Sequence, residues 1–234
     1  ALAGAGASVT VLARQSASLE AVRASLGDGE HHCLVADLSQ WEEAGRIVAE
    51  HVAATGPMHI LVNNSGGPKA GPAIDAEPED FLAGLIPHVL GSQVMARALV
   101  PGMRSAGYGR IINIVSTSVV TPITGLGVSN VVRGAMGNWM RILASELGPD
   151  GITVNNILPG FVGTDRLDSL MEGRAKRQGT TAAEVEAGWK STIPAGRFAE
   201  PAEIGAVCAF LASSAASYVS GVNLPVDGAR LAAS

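Results

Sequence analysis

Six short runs of continuous apolar, often β-branched residues recur along the chain. They are SVTVLA (Ser8 to Ala13), HCLVA (His32 to Ala36), MHILVN (Met58 to Asn63), RIINIV (Arg110 to Val115), ITVNNIL (Ile152 to Leu158) and GVNLPV (Gly221 to Val226). A strand with one wet face alternates apolar and polar side chains, whereas a strand covered on both faces does not. The stretches between the runs suit crossover helices, and several carry helical periodicity: SLEAVRASL, QWEEAGRIVAEHVA, the segment from about Glu79 to Met103, and PAEIGAVCAFLAS with Pro201 near its start. The pattern predicts an α/β fold with a doubly wound, mostly parallel sheet.

With 234 residues, 47% of them hydrophobic and 16% charged, the chain can bury one core, and a single domain over 1–234 is expected. A net charge of -5 argues against a nucleic-acid surface, which needs clustered Lys and Arg. The one short basic cluster is Arg174, Lys176 and Arg177. Cys33 and Cys208 each lie in an apolar run without metal-ligand spacing, so no metal site is expected and both read as small core hydrophobes. No apolar stretch reaches the roughly 20 residues of a bilayer span, and the opening ALAGAGASVTVLA lacks the basic flank of a signal peptide. A cytoplasmic protein without membrane contact follows as the expectation. The segment from Asp165 to Thr192 is charged, helical in pattern and interrupted by Gly, the usual form of a lid over a sheet.

GAGA (Gly4 to Ala7) has the look of a phosphate-binding loop in the wrong place. Such a loop follows a strand and opens a helix, whereas this one precedes a strand; it reads as a helix end turning into that strand. Three other places carry more. ILVNNSGG, NIVSTS and NNILPGFVGTD are each a strand that ends in amides, hydroxyls or Pro-Gly. Any one of them is compatible with an ordinary polar turn. Three on the carboxyl rim of a parallel sheet favour a ligand site. Ser129 and Arg133, four residues apart in GLGVSNVVRGAMGNWM, would share one face of a helix.

Taken in order, GASVTVLAR, Asp37 in ADLSQ, NNSG, GRIINIVS, ELGPDGITVNNILPGFVGT, GRFAEPAEIGAVCAFLAS and SYVSGVNLPVDG cover nearly the whole chain. In this series the chain resembles the short-chain dehydrogenase/reductase family, whose fold is Rossmann-like. The resemblance implies an oxidoreductase interconverting a small carbonyl and an alcohol with a nicotinamide dinucleotide, and a homo-oligomer, dimer or tetramer, built through the two long helices. It also implies roles. Asp37 and Leu38 would contact the adenine, Asn64, Ser65 and Gly66 would form the floor under the cofactor, and Pro159, Gly160, Val162 and Thr164 would clamp the nicotinamide. Arg14 falls where relatives that use NADP place the arginine for the 2′-phosphate, a sound match for a bidentate guanidinium, so NADP is expected over NAD.

Two departures stand out. The family opens with a strand, a TGxxxGxG loop and a helix, and none of these is in the sequence; by the ~30-residue size of a βαβ unit, roughly 20 to 30 residues of the family pattern lie ahead of Ala1. That strand is central in the family's order, so the sheet is expected to be split between the SVTVLA and MHILVN strands unless a preceding segment or another element fills the slot. The second departure is chemical. Ser116 keeps the family's active-site serine, but counting 13 residues on gives Ser129 in place of the tyrosine, Arg133 stands in place of the lysine, and His88 in place of the helix-borne asparagine. Serine is a far weaker acid than tyrosine, whose free pKa is near ~10, and arginine cannot shuttle a proton at ordinary pH. What remains is an electrostatic site: Ser116 and Ser129 as hydroxyl donors, Arg133 as a fixed cation, and His88 as a candidate proton donor expected to titrate near neutrality. The alternative is a catalytically silent dinucleotide- or ligand-binding protein.

Overall fold

The computed structural model describes residues 1–233. All six runs are strands and every paired neighbour is parallel: β1 (Thr10–Ala13), β2 (His32–Val35), β3 (Ile60–Asn63), β4 (Gly109–Ile114), β5 (Ile152–Pro159) and β6 (Asn223–Val226). They form two sheets. β3, β4, β5 and β6 lie side by side in sequence order, while β1 pairs only with β2. The expected split is therefore present, and β1 and β3 each keep one edge without a ladder partner among the described residues. Leu12 of β1, Leu34 of β2 and Leu61 of β3 nonetheless pack on one core with Ile111 and Val154.

Side chains alternate across a strand, and the helices use both faces. Ile111 and Val154 point toward α2 (Trp41–Thr55), α4 (Gly91–Ala106) and α5 (Gly127–Leu147), which supply Val48, then Met95, Leu99 and Met103 at four-residue spacing, then Met140 and Leu147. Ile112 and Ile157 point the other way, against Cys208, Leu211 and Ala212 of α8 (Pro201–Ala212). Cys208 is a core residue as expected, whereas Cys33 is only partly buried. α1 (Ser16–Ser25) packs on β1 and β2. Pro201 opens α8, where Glu200 and Glu203 form a reciprocal capping box.

The segment from Glu79 to Met103 is not one helix. α3 (Pro78–Leu85) gives way to a π-helical turn over Ile86–Leu90 before α4 begins. Pro87 has no N–H to give, and the wider turn is closed instead by the Gly91 N–H on the Ile86 carbonyl. GAGA is no phosphate loop. A single 3-10 turn, Ala3–Ala5, ends at Gly6 in the left-handed region at φ 89°, and the chain then enters β1.

Four asparagines stand at one level of the larger sheet, in the register Asn63, Asn113, Asn156, Asn223. Each Nδ2 donates to the Oδ1 of the next at 2.8 Å. Asn113 and Asn156 are fully buried, so a one-residue slip of either strand would bury unpaired amides. The ladder thus fixes the height of the strand ends that carry the site. No helix is long and apolar enough to cross a membrane, and no cluster of metal-ligating side chains occurs among the described residues.

Candidate active site

Because all pairings are parallel, the carboxyl ends of the strands share a rim. At β1 the rim carries Arg14, exposed, with its charge reaching Asp37 beyond β2. Asp37 Oδ1 accepts from the Ser39 N–H at 2.9 Å; that bond first, and the Arg14 charge after it, hold the carboxyl below its ordinary range. Leu38 turns inward, where a Cβ on Gly91 at the start of α4 would stand 3.2 Å from it. At β3, Asn64 and Gly66 are exposed, Ser65 is half-buried, and nothing lies within 4 Å of where a Gly66 side chain would begin.

The end of β5 is tighter. Pro159 closes the strand, and the Gly160 N–H donates to the Val226 carbonyl at 3.0 Å. A Cβ on Gly160 would stand 2.8 Å from the Asp227 backbone, so only glycine fits. Val162 bridges to Ala199, and the Thr164 hydroxyl accepts from the Leu167 N–H to cap α6 (Asp165–Gln178). Between them these contacts fix the β5 end in place.

Beyond β4, Ser116 caps a 3-10 turn at Thr117–Val119: its Oγ accepts from the Ser118 N–H at 3.1 Å, which leaves its O–H to donate elsewhere. That turn packs on α5, as does the π turn that carries His88. Ser129 and Arg133 are one turn apart on α5, as the spacing predicts. Ser129 is half-buried and its hydroxyl makes no hydrogen bond to the described residues. Arg133 is 9% exposed; its Nη1 donates to the Ile114 carbonyl at 3.1 Å, and its Nε–H is buried without a partner. The helix register therefore aims a cation at the last residue of β4.

His88 departs from expectation. It is buried, its Nδ1–H donates to the Gly84 carbonyl at 2.8 Å, and its Nε2 has no partner. Burial, with the Arg133 charge adding to it, pushes its pKa down to about 4. Near neutrality the ring is uncharged and its inward nitrogen is an acceptor, so a proton donor titrating near neutrality is not what this position provides. Its near-neutral reference value carried no information about burial.

Two hollows adjoin the rim. One, of about 350 Å³, lies between the loop after β3 and the α3–π turn, with His88, Gly84 and Val128 in its wall. The other, of about 570 Å³, lies under the segment expected to be a lid, which is a pair of helices, α6 and α7 (Ala182–Lys190). Phe161 and Trp189 stack in its wall with ring centres 4.7 Å apart, and Arg230 stands over Phe161. Arg174 and Arg177 also line it, whereas Lys176 does not. Arg166, on the first turn of α6, was not singled out by sequence reasoning; its only signal is its place two residues after Thr164. The structure sets it beside Arg133 and Gly67.

A family model described as enoyl-(acyl carrier protein) reductase matches residues 1–229. Galactitol 2-dehydrogenase (L-tagatose-forming) of Cereibacter sphaeroides is 32% identical over 230 residues, 97% of this chain and 87% of the relative. A 3-oxoacyl-(acyl carrier protein) reductase of Haemophilus influenzae is 31% identical over 97% of this chain and 89% of its own. Among solved structures, L-sorbose reductase of Gluconobacter frateurii, complexed with NADPH and L-sorbose, superposes with a TM-score of 0.89 at 30% identity, covering 97% of this chain and 88% of that one.

Proposed function

The chain belongs to the short-chain dehydrogenase/reductase family, and on that premise we propose that it is an NADP(H)-preferring oxidoreductase interconverting a carbonyl and an alcohol at an altered site. The observation that carries the reading is the placement of Arg133: a buried cation tied to the end of β4, two residues before Ser116. The flanks of the rim fit the two ends of a dinucleotide. Arg14 offers an exposed guanidinium for a 2′-phosphate, Asp37 a carboxylate for the adenine, Gly66 an uncrowded floor, and Gly160 a close backbone approach. When bound, the dinucleotide supplies the hydride that is exchanged with the substrate carbon.

The protein's own share is polarisation. Ser116 and Ser129 each have an O–H free to donate to the carbonyl oxygen, and Arg133 places a fixed positive charge behind them. Arg133, though lowered to about 10 by burial and by Arg166, stays charged at neutral pH, and His88 stays neutral. Proton delivery then falls to solvent through the serine hydroxyls. Losing a positioned general acid lowers the rate by about 10²- to 10⁴-fold, so slow turnover is expected.

Calorimetric titration with NADPH and then NADH, followed by turnover with L-sorbose, L-tagatose and small ketones, tests this. Micromolar NADPH binding and a Ser116→Ala variant slowed at least about 10-fold are expected. No binding of either dinucleotide at millimolar concentration, or unchanged turnover in Ser116→Ala, would sink the proposal. A second reading, a silent dinucleotide-binding protein, is favoured by one observation: neither His88 nor Arg133 titrates near neutrality. Sustained multiple turnover with any carbonyl substrate removes it.

A further inference from the structure

Arg133 and Arg166 form a pair of guanidinium groups with no carboxylate against either. Neither takes part in any ion pair among the described residues. Arg133 is nine-tenths buried, with Nη1 on the Ile114 carbonyl and its Nε–H unpaired. Arg166 donates from Nη2 to the Pro68 carbonyl at 3.2 Å. The Nη2 groups of both residues lie over Gly67. A Cβ on Gly67 would stand 3.4 Å from Arg166 Nη2 and 3.9 Å from Arg133 Nη2, and no other residue beyond its chain neighbours would be as near.

A buried cation that lacks a counter-charge is strongly unfavourable, and a second cation beside it makes matters worse. The strain registers on Arg133, which burial first and the Arg166 charge second draw down to about 10. A small oxyanion over the bare Cα of Gly67 would answer both terms, meeting one guanidinium with each oxygen. Arginine suits the place where lysine would not. It can spend Nη1 on the β4 carbonyl and still present Nη2, whereas an ammonium is a single point charge.

We propose that Arg133, Arg166 and Gly67 form a subsite for the carboxylate of the substrate, so that the chain acts on an oxo acid or hydroxy acid. The proposal rests on the oxidoreductase reading above and names its substrate class. A phosphate of the cofactor shares the same chemistry, but position favours the substrate. Arg14 and Asp37 lie at the ends of β1 and β2, whereas Arg133 is tied to the end of β4 just before Ser116, and Arg166 rides on the first of the two helices over the larger hollow.

Calorimetry of the full chain with malonate, inorganic phosphate and NADPH tests it, in wild type and in Arg166→Gln, Gly67→Ala and Arg14→Ala. Arg166 is exposed and the Gly67→Ala methyl would meet ordinary contact distances, so both variants should fold, and circular dichroism checks that. Malonate binding is expected to weaken about 10-fold or more in Arg166→Gln and Gly67→Ala and to stay unchanged in Arg14→Ala. NADPH should show the reverse pattern. Wild type that ignores malonate at tens of millimolar, or Arg166→Gln and Gly67→Ala that bind it as wild type does, would overturn the proposal. So would loss of phosphate and NADPH rather than malonate in those two variants, which would assign the anion to the cofactor. Malonate binding with the expected pattern but no NADPH binding would support the anion subsite and remove the oxidoreductase reading.

Discussion

His88 shows how far one side chain's environment can move its chemistry. It is 2% exposed, and its pKa is pushed from an ordinary 6.5 to about 4. Between those values the unfolded chain takes up a proton that the folded chain refuses, so stability is full above pH 6.5 and falls as pH drops toward 4. At about 1.4 kcal/mol per pH unit, the loss attributable to His88 is of the order of 3 kcal/mol. Urea melts at pH 7 and pH 4.5 check this: wild type should lose more stability than His88→Asn over that interval, and equal losses would refute the assignment. In the sequence the same residue reads as a helix-borne candidate proton donor titrating near neutrality, with nothing to show its burial. It lies in the π turn, which the Gly91 N–H closes on the Ile86 carbonyl.

Among the elements, the four-asparagine ladder is what holds the strand ends level. Asn113 accepts from Asn63 and donates to Asn156, both at 2.8 Å. Asn113→Ala would leave a donor and an acceptor unpaired at buried or half-buried sites, each costing about 1–3 kcal/mol. Chemical unfolding should therefore show a loss of about 2–6 kcal/mol, and a loss below ~1 kcal/mol would mean the ladder is not what sets the register. Each asparagine was visible in the sequence within a predicted strand, as in ILVN and ITVNNIL. That they stand in one row follows from parallel register, which a single strand's pattern does not contain.

At the scale of the molecule, the burial of the strands sets a stability gradient. β4 and β5 are paired on both sides and buried except at their last residues, whereas β1 and β2 are largely half-exposed. Half-exposed strands open more readily than buried ones, without global unfolding. Amide exchange in β1 and β2 should be at least about 10-fold faster than in β4 and β5, and if Arg14 and the β5 end hold the dinucleotide as proposed, NADPH should slow it. Uniform protection across all six strands would contradict this. The segment from 165 to 192 belongs at this scale as well. Its helical pattern was readable, but the hollow beneath it depends on Phe161 and Arg230, which come from outside the segment.

Local chemistry was sufficient for much of this protein. Continuous apolar runs declared parallel strands, of which only β4 and β5 are buried on both faces, the order of motifs declared the family, and the spacing of Ser129 and Arg133 placed them on one face of α5. Those are properties of periodicity and sequence order, and they survive without knowledge of neighbours. What the tertiary structure alone decided is which groups share a dielectric and a charge. It buried His88 beyond protonation at neutral pH, brought Arg166 from the first turn of α6 to within reach of Arg133, and left both over a bare Gly67. Electrostatic energies depend on distance and burial between residues far apart in the chain, and neither quantity is written in local sequence.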